Sequence, residues 1–148
     1  MFCFKRAIPI RILSVGKRRS PGVHLLVEEY MEKLRHYCSV EDIHVKSNPK
    51  SSRYSMLSSS SSCTLKISGL FLTVVVLDEH GLDVGSEQLA NLLGDAGRTS
   101  STRLAFCIGG PYGHGPRLRD RADVTIRLSS MVLNHQIALI VLLEQLYR

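Results

Sequence analysis

Leu70-Phe71-Leu72-Thr73-Val74-Val75-Val76-Leu77 runs directly into Asp78-Glu79-His80-Gly81, and the reading of this stretch decides the fold. A strand wetted on one side alternates apolar and polar residues, whereas this run is apolar at almost every position, as expected of a strand covered on both faces. Such cover arises when helices cross between parallel strands. Downstream, Ser86 reads as the cap of a helix carrying Leu89, Leu92 and Leu93 that ends near Gly94 or Gly97. Arg103–Ile108 follows as a strand, then the glycine-rich turn Gly109–Gly115 and a short basic helix from Pro116 to Ala122. Val124–Leu128 gives a last strand, and Asn134–Tyr147 a final helix that is apolar nearly all round.

Upstream, Ile8–Val15 alternates well enough for a first strand, with Pro9 near its start, where a missing donor is tolerated. Ser20-Pro21 supplies an N-cap and a first-turn proline. Val23, Leu26, Val27, Tyr30, Met31, Leu34 and Tyr37 then recur at helical spacing, with Glu29 and Lys33 as a favourable pair on the outer side. Val40–Val45 reads as a short second strand. Ser47–Ser68 breaks the pattern with ten serines, five of them consecutive at Ser58–Ser62, and too little apolar surface to offset its ordering entropy. The expectation is one α/β domain over residues 1–148: a mainly parallel sheet with helices on both faces, and a flexible serine-rich segment at 47–68.

Composition narrows the function classes. Apolar residues make up 44% and charged residues 22%, close to a soluble globular average. The longest apolar run, Ile137–Leu143, is far short of a membrane span and reads as a buried helix. The opening residues lack the long apolar stretch of a secretory signal, so a cytoplasmic or organellar (plastid or mitochondrial) protein is expected rather than a secreted one. A net charge of +6 suggests a polyanionic partner; basic residues cluster in Lys17-Arg18-Arg19 and at Arg117, Arg119 and Arg121. Cys3, Cys38, Cys63 and Cys107 have neither metal spacing nor a disulfide framework, and the six histidines form no metal box. No metal is expected. Cys107, within an apolar strand, reads as a small core residue.

Chemistry concentrates where ligands bind in open parallel sheets, beyond the carboxyl ends of strands. Three segments fall there: Leu77–Gly81, Ile108–Gly115 and Ser129–His135. Gly109 and Gly110 lack a Cβ, so a planar or anionic ligand can approach the backbone, although the same glycines suit a plain tight turn. The glycine spacing matches neither a phosphate-binding P-loop nor G-x-G-x-x-G. That favours a site reading a nucleoside through backbone contacts. Asp78 and Glu79 could serve as bases, yet carboxylates after a strand are commonplace. His135 opens the last helix, where capping competes with catalysis.

At these segments the chain resembles the RlmH family, the large-subunit ribosomal RNA pseudouridine methyltransferases of the SPOUT superfamily. The resemblance lies in Ile10-Arg-Ile-Leu-Ser-Val-Gly-Lys17, Val76-Leu-Asp-Glu-His-Gly81 and Phe106-Cys-Ile-Gly-Gly-Pro-Tyr-Gly113. It continues in Leu128-Ser-Ser-Met-Val-Leu-Asn-His-Gln136 and Leu143-Glu-Gln-Leu-Tyr-Arg148. It implies a SPOUT-type fold with a C-terminal trefoil knot, a homodimer, and S-adenosyl-L-methionine as cofactor. By motif, Leu77, Gly109, Gly110, Ser129, Ser130, Met131, Val132, Leu133 and Asn134 would contact that cofactor. The implied activity is methylation of N3 of a pseudouridine in large-subunit rRNA, free or in the ribosome, with no membrane partner. From charge alone, Lys17, Arg18 and Arg19 would hold the RNA backbone. No residue is assigned as catalytic. Two departures stand out: the family continues past Arg148 into a tail rich in tyrosine and histidine, and carries a charged helical segment where this chain has Ser51–Ser62. The competing expectations are a binding module that keeps the cofactor or RNA site without turnover, and a generic nucleotide-binding regulator.

Overall fold

The computed structural model describes residues 8–16, 18–46, 72–98, 103–109 and 116–148. Its strands are β1 (Ile10–Gly16), β2 (Val40–Lys46), β3 (Leu72–Asp83), β4 (Arg103–Ile108) and β5 (Val124–Arg127). The helices are α1 (Pro21–Arg35), α2 (Ser86–Arg98), α3 (Pro116–Arg121) and α4 (His135–Tyr147). The strands form one parallel sheet in the order β2-β1-β4-β3-β5. The expected α/β architecture is present. The serine-rich segment 47–68 and the 110–115 turn on which the expected knot would depend both fall wholly outside the described residues.

Alternation along the strands builds two cores. Phe106 of β4 sits between Ile12 of β1 and Val75 of β3 and is fully buried. Its face carries Leu104, Ile108 and Ile126, packed under Val27, Met31 and Leu34 of α1, Leu89 and Leu93 of α2, and Leu139, Leu142 and Leu143 of α4. The opposite face presents Leu13, Val74, Val76, Ala105 and Cys107. Among the described residues its helical cover is the short α3, through Leu118. The helices do lie on both faces, but unevenly.

Local signals explain most element ends. Ser20 Oγ accepts from Val23 N at 3.4 Å, and Pro21 opens α1 as anticipated. Lys33 and Glu29 pair at 3.0 Å. Ser86 is a correction: it is the first residue of α2, not its cap, and Gly85 N is satisfied by Gln88 Oε1 at 2.9 Å. The helix continues through Gly94 to Arg98, because Leu89, Leu93 and Ala96 keep one face buried across that glycine. The buried stripe of α1 is narrower than the spacing suggested: Leu26 is 37% exposed, and Tyr37, beyond the helix end, is 51% exposed. Ile137 is also exposed (47%), so the 137–143 run is not buried all round. β3 outruns its expected end at Leu77, for a reason that shapes the site.

Candidate functional site

A cleft of about 570 Å³ opens at the carboxyl ends of β3, β4 and β5. Its floor is apolar: Leu77, Ile108, Ile126, Leu128 and Ala138. Gly109 and the side chains of Ser129, Met131, Val132, Leu133 and Asn134 complete the wall, and Asp78, Glu79, His80, Arg119 and Arg127 add charge. The structure therefore brings Leu77, Gly109 and most of 129–134 together around one hollow. Ser130 is exposed and does not line it. Gly110 lies outside the described residues.

A bulge in β3 makes the first wall. Leu77 and Leu82 both pair with Ile126 of β5, so residues 78–81 are extra and are pushed out over the strand ends. Gly81 is needed there, since a Cβ would lie 2.6 Å from the Ile126 carbonyl carbon. Within the bulge, His80 N donates to Asp78 Oδ1 at 2.9 Å, which fixes the turn.

The second wall, 129–134, is pinned at both ends. Ser129 Oγ accepts from Met131 N at 3.0 Å, and Asn134 Oδ1 accepts from Gln136 N at 2.9 Å as the cap of α4. The capping role considered for His135 thus belongs to Asn134, an amide with the acceptor geometry a helix start selects. Met131 and Val132 stand 72% and 79% exposed, with their apolar side chains largely in solvent. Ser20 N donates to Gln136 Oε1 at 3.3 Å and ties the start of α1 to the start of α4.

His135 packs against Gly16 so closely that a Cβ there would come within 2.7 Å of ring carbon Cδ2. Its Nε2 is buried without a hydrogen-bond partner, and burial, followed by the positive charge of Arg19, pushes its pKa down. Arg19 itself is only 10% exposed. Its guanidinium clamps Asp42 of β2 through two bonds of 2.5 and 2.8 Å and also donates to Ser14 Oγ at 3.0 Å. Of the three residues expected on RNA, Arg18 is exposed, Arg19 is engaged in this clamp, and Lys17 lies outside the described residues. An exposed-looking charge run gives no warning that one member folds back onto a neighbouring strand.

Arg127 escaped the sequence reading because it closes an unremarkable strand. Alternation does supply a signal: with Val124 and Ile126 turned into the three-helix core, Arg127 falls on the other side. Its Nε is buried without a hydrogen-bond partner and lies 3.6 Å from Asp83. Arg119 of α3 stands 3.6 Å from Asp78, whose side chain is 12% exposed. Among the described residues there is no group of three or more His, Cys, Asp or Glu that could hold a metal. Nor is any described helix long and apolar enough to cross a membrane.

With this geometry established, comparison with known proteins places the chain. Residues 8–148 match the family described as "Predicted SPOUT methyltransferase". A protein of Arabidopsis thaliana, named provisionally as an RNA methyltransferase, is 58% identical over 145 residues, covering 97% of this chain and 75% of that protein. The ribosomal RNA large subunit methyltransferase H of Clostridium kluyveri is 34% identical, covering 94% of this chain and 91% of its own length. Among solved structures, a probable methyltransferase from Bordetella pertussis Tohama I superposes with a TM-score of 0.58 at 14% identity, covering 95% of this chain and 93% of that one. The SpoU methyltransferase AviRb of Streptomyces viridochromogenes, solved with AdoMet, gives 0.50 at 13% identity; it covers 97% of this chain, which spans 59% of AviRb's length. These two likenesses bear on the fold, whereas the sequence matches bear on descent. The chain belongs to the SPOUT methyltransferase family, alongside the ribosomal RNA large subunit methyltransferase H proteins.

Proposed function

We propose that this chain uses S-adenosyl-L-methionine to methylate N3 of a pseudouridine in large-subunit rRNA, working as a homodimer. The observation that carries the reading is the cleft itself, at the strand ends where parallel sheets bind ligands. Its composition fits the cofactor. An apolar floor suits the faces of an adenine, and a wall of irregular backbone at 129–134 offers amides and carbonyls to its edge. Charges of both signs at the rim suit an amino-acid end. The cofactor brings an already activated methyl group, so the protein's task is orientation and exclusion of water. The pinned 129–134 segment and the bulged 78–81 wall would hold the two sides of the cleft at a fixed separation.

Exposed Met131 and Val132, with Ile137 and Leu25 exposed nearby on the linked starts of α4 and α1, support a second copy docking beside the cleft. A substrate in ribosomal RNA would put the protein wherever ribosomes are, in the cytosol, a plastid or a mitochondrion. The test is calorimetric titration with S-adenosylmethionine, followed by transfer of labelled methyl to ribosomes lacking the modification, with the modified base identified by mass spectrometry. Gly109→Val should abolish both binding and transfer by placing a side chain against the cleft. A parent protein that binds the cofactor but labels no ribosomal RNA would refute the substrate assignment; one that binds no cofactor would refute the reading as a whole.

A further inference from the structure

Arg119, Arg127 and Asp78 come from three different elements, α3, β5 and β3, and line the same cleft. Asp78 continues the Val74–Val76 side of β3, the side that packs against α3. Arg127, alternating with Ile126, falls on that side as well. Both arginines have nearby carboxylates, but each pair is 3.6 Å apart, beyond hydrogen-bonding distance. Arg19 differs, since its guanidinium grips Asp42 within β2 at 2.5 and 2.8 Å. Neither Arg119 nor Arg127 makes a side-chain hydrogen bond among the described residues, and Arg127 Nε is buried without a hydrogen-bond partner. A buried guanidinium nitrogen left unpaired is costly, and native proteins keep few such groups.

We propose that Arg119 and Arg127 form the anion half of an α-amino-acid subsite, binding the carboxylate at the methionine end of the cofactor, while Asp78 and Glu79 take its ammonium. The inference rests on the cofactor reading above and adds the residues that would orient that end. Charge decides between a carboxylate and the other anion available to such a protein, an RNA phosphate. Glu79 and Asp78 line the same cleft as the two arginines. A backbone of phosphates would be repelled by them, whereas a zwitterion is matched at both poles. Guanidinium forks also fit carboxylates in a planar, two-bond geometry, which orients as well as attracts.

The experiment compares two ligands by calorimetry, S-adenosylmethionine and its decarboxylated analogue, on the parent and on Arg119→Gln, Arg127→Gln and the double variant. Arg103→Gln removes an equal charge from an exposed position at the start of β4 and serves as the control. The parent should prefer the carboxylated ligand by about tenfold or more, as charge-assisted bonds would give. That preference should shrink in each single variant, vanish in the double variant and persist in Arg103→Gln. Arg119 is 59% exposed, so Arg119→Gln should stay folded even if Arg127→Gln does not, and its ratio alone can decide. Equal affinities in the parent, or a preference surviving in the double variant, would overturn the subsite while leaving the cofactor reading intact. Weakened RNA binding with an unchanged ligand ratio would transfer the arginines to phosphate and overturn it too. Binding of neither ligand by the folded parent would remove the cofactor reading and the subsite with it.

Discussion

The two ends of the sheet hold hollows of opposite character, the carboxyl-end one the larger. At the amino ends of β1 and β4 lies one of about 390 Å³, walled by Ile8, Ile10, Leu34, Leu93, Leu104 and Leu146 with Tyr37 and Tyr147. Several polar groups around it are partnered. Ser86 Oγ donates to Gln145, Arg148 pairs with Glu144, and Lys33 sits over the rings of Tyr30 and Tyr147 at 5.2 and 5.7 Å. At the carboxyl end the wall is bulged, two ion pairs stand at 3.6 Å, and Arg127 Nε and His135 Nε2 are buried without a hydrogen bond. The hollow at the amino end is walled mainly by apolar side chains. The other keeps polar groups for something from outside, and perturbed, unpaired groups in a cleft are what binding sites share.

Substitutions that cost space should break this contrast most sharply. Gly81→Val would drive a branched side chain into the Ile126 backbone and force the β3–β5 register to shift. We expect a loss of about 3 kcal/mol in urea unfolding, the upper range for overpacking. Ala90→Leu at the amino-end hollow should change stability by less than about 1 kcal/mol, because the added atoms have room. Equal costs would mean that the two ends are equally packed.

Removing a partner comes next. Asp42→Ala strands Arg19 at 10% exposure, and a loss of about 2 kcal/mol is expected, reduced from the fully buried case by residual solvent. The double change Arg19→Met with Asp42→Leu should recover most of it. Cofactor affinity should change little in the double variant, since neither residue lines the cleft. At the far end, Tyr147→Ala removes edge-on contacts to Tyr30 and Tyr37 at 6.4 and 6.2 Å. It should cost about 1 kcal/mol, with no effect on cofactor binding. A change in affinity there would show that the amino end is not merely structural.

The contrast was only half legible in the sequence. The apolar run ending at Leu77, the Ser20-Pro21 start and the Arg103–Ile108 strand report local periodicity and capping, which neighbouring residues specify. Leu77, Gly109, Ser129 and Met131–Asn134 could be placed together because a parallel sheet gathers its strand ends at one edge. What could not be read depends on partners distant in sequence. The bulge exists because Ile126, beyond β4, pairs with both Leu77 and Leu82. Arg19 turns inward because Asp42 stands on the adjoining strand. That Arg127 Nε is buried without a hydrogen bond, with Asp83 held off at 3.6 Å, depends on placement in space, and linear spacing carries no trace of that.

His135 offers the finest test, because it lines the carboxyl-end cleft yet packs against Gly16 of β1. Burial, with Arg19 adding to it, holds the imidazole neutral below its ordinary value of 6.5. The unfolded chain then takes up a proton near that pH which the folded chain still refuses. Stability from this group is therefore complete above pH 6.5, declines as pH falls through that value, and levels off once the folded imidazole also charges. Replacing His135 with Asn keeps a polar side chain but removes the titration. Melting from about pH 7.5 down to about pH 5.5 should lower the parent's midpoint more than the variant's. Exposed His24, His36 and His80 are common to both proteins and cancel in the difference. Parallel declines would show that His135 is not held neutral. In the Arg19→Met and Asp42→Leu background the excess slope should shrink without vanishing, because burial is the larger cause and the arginine the smaller.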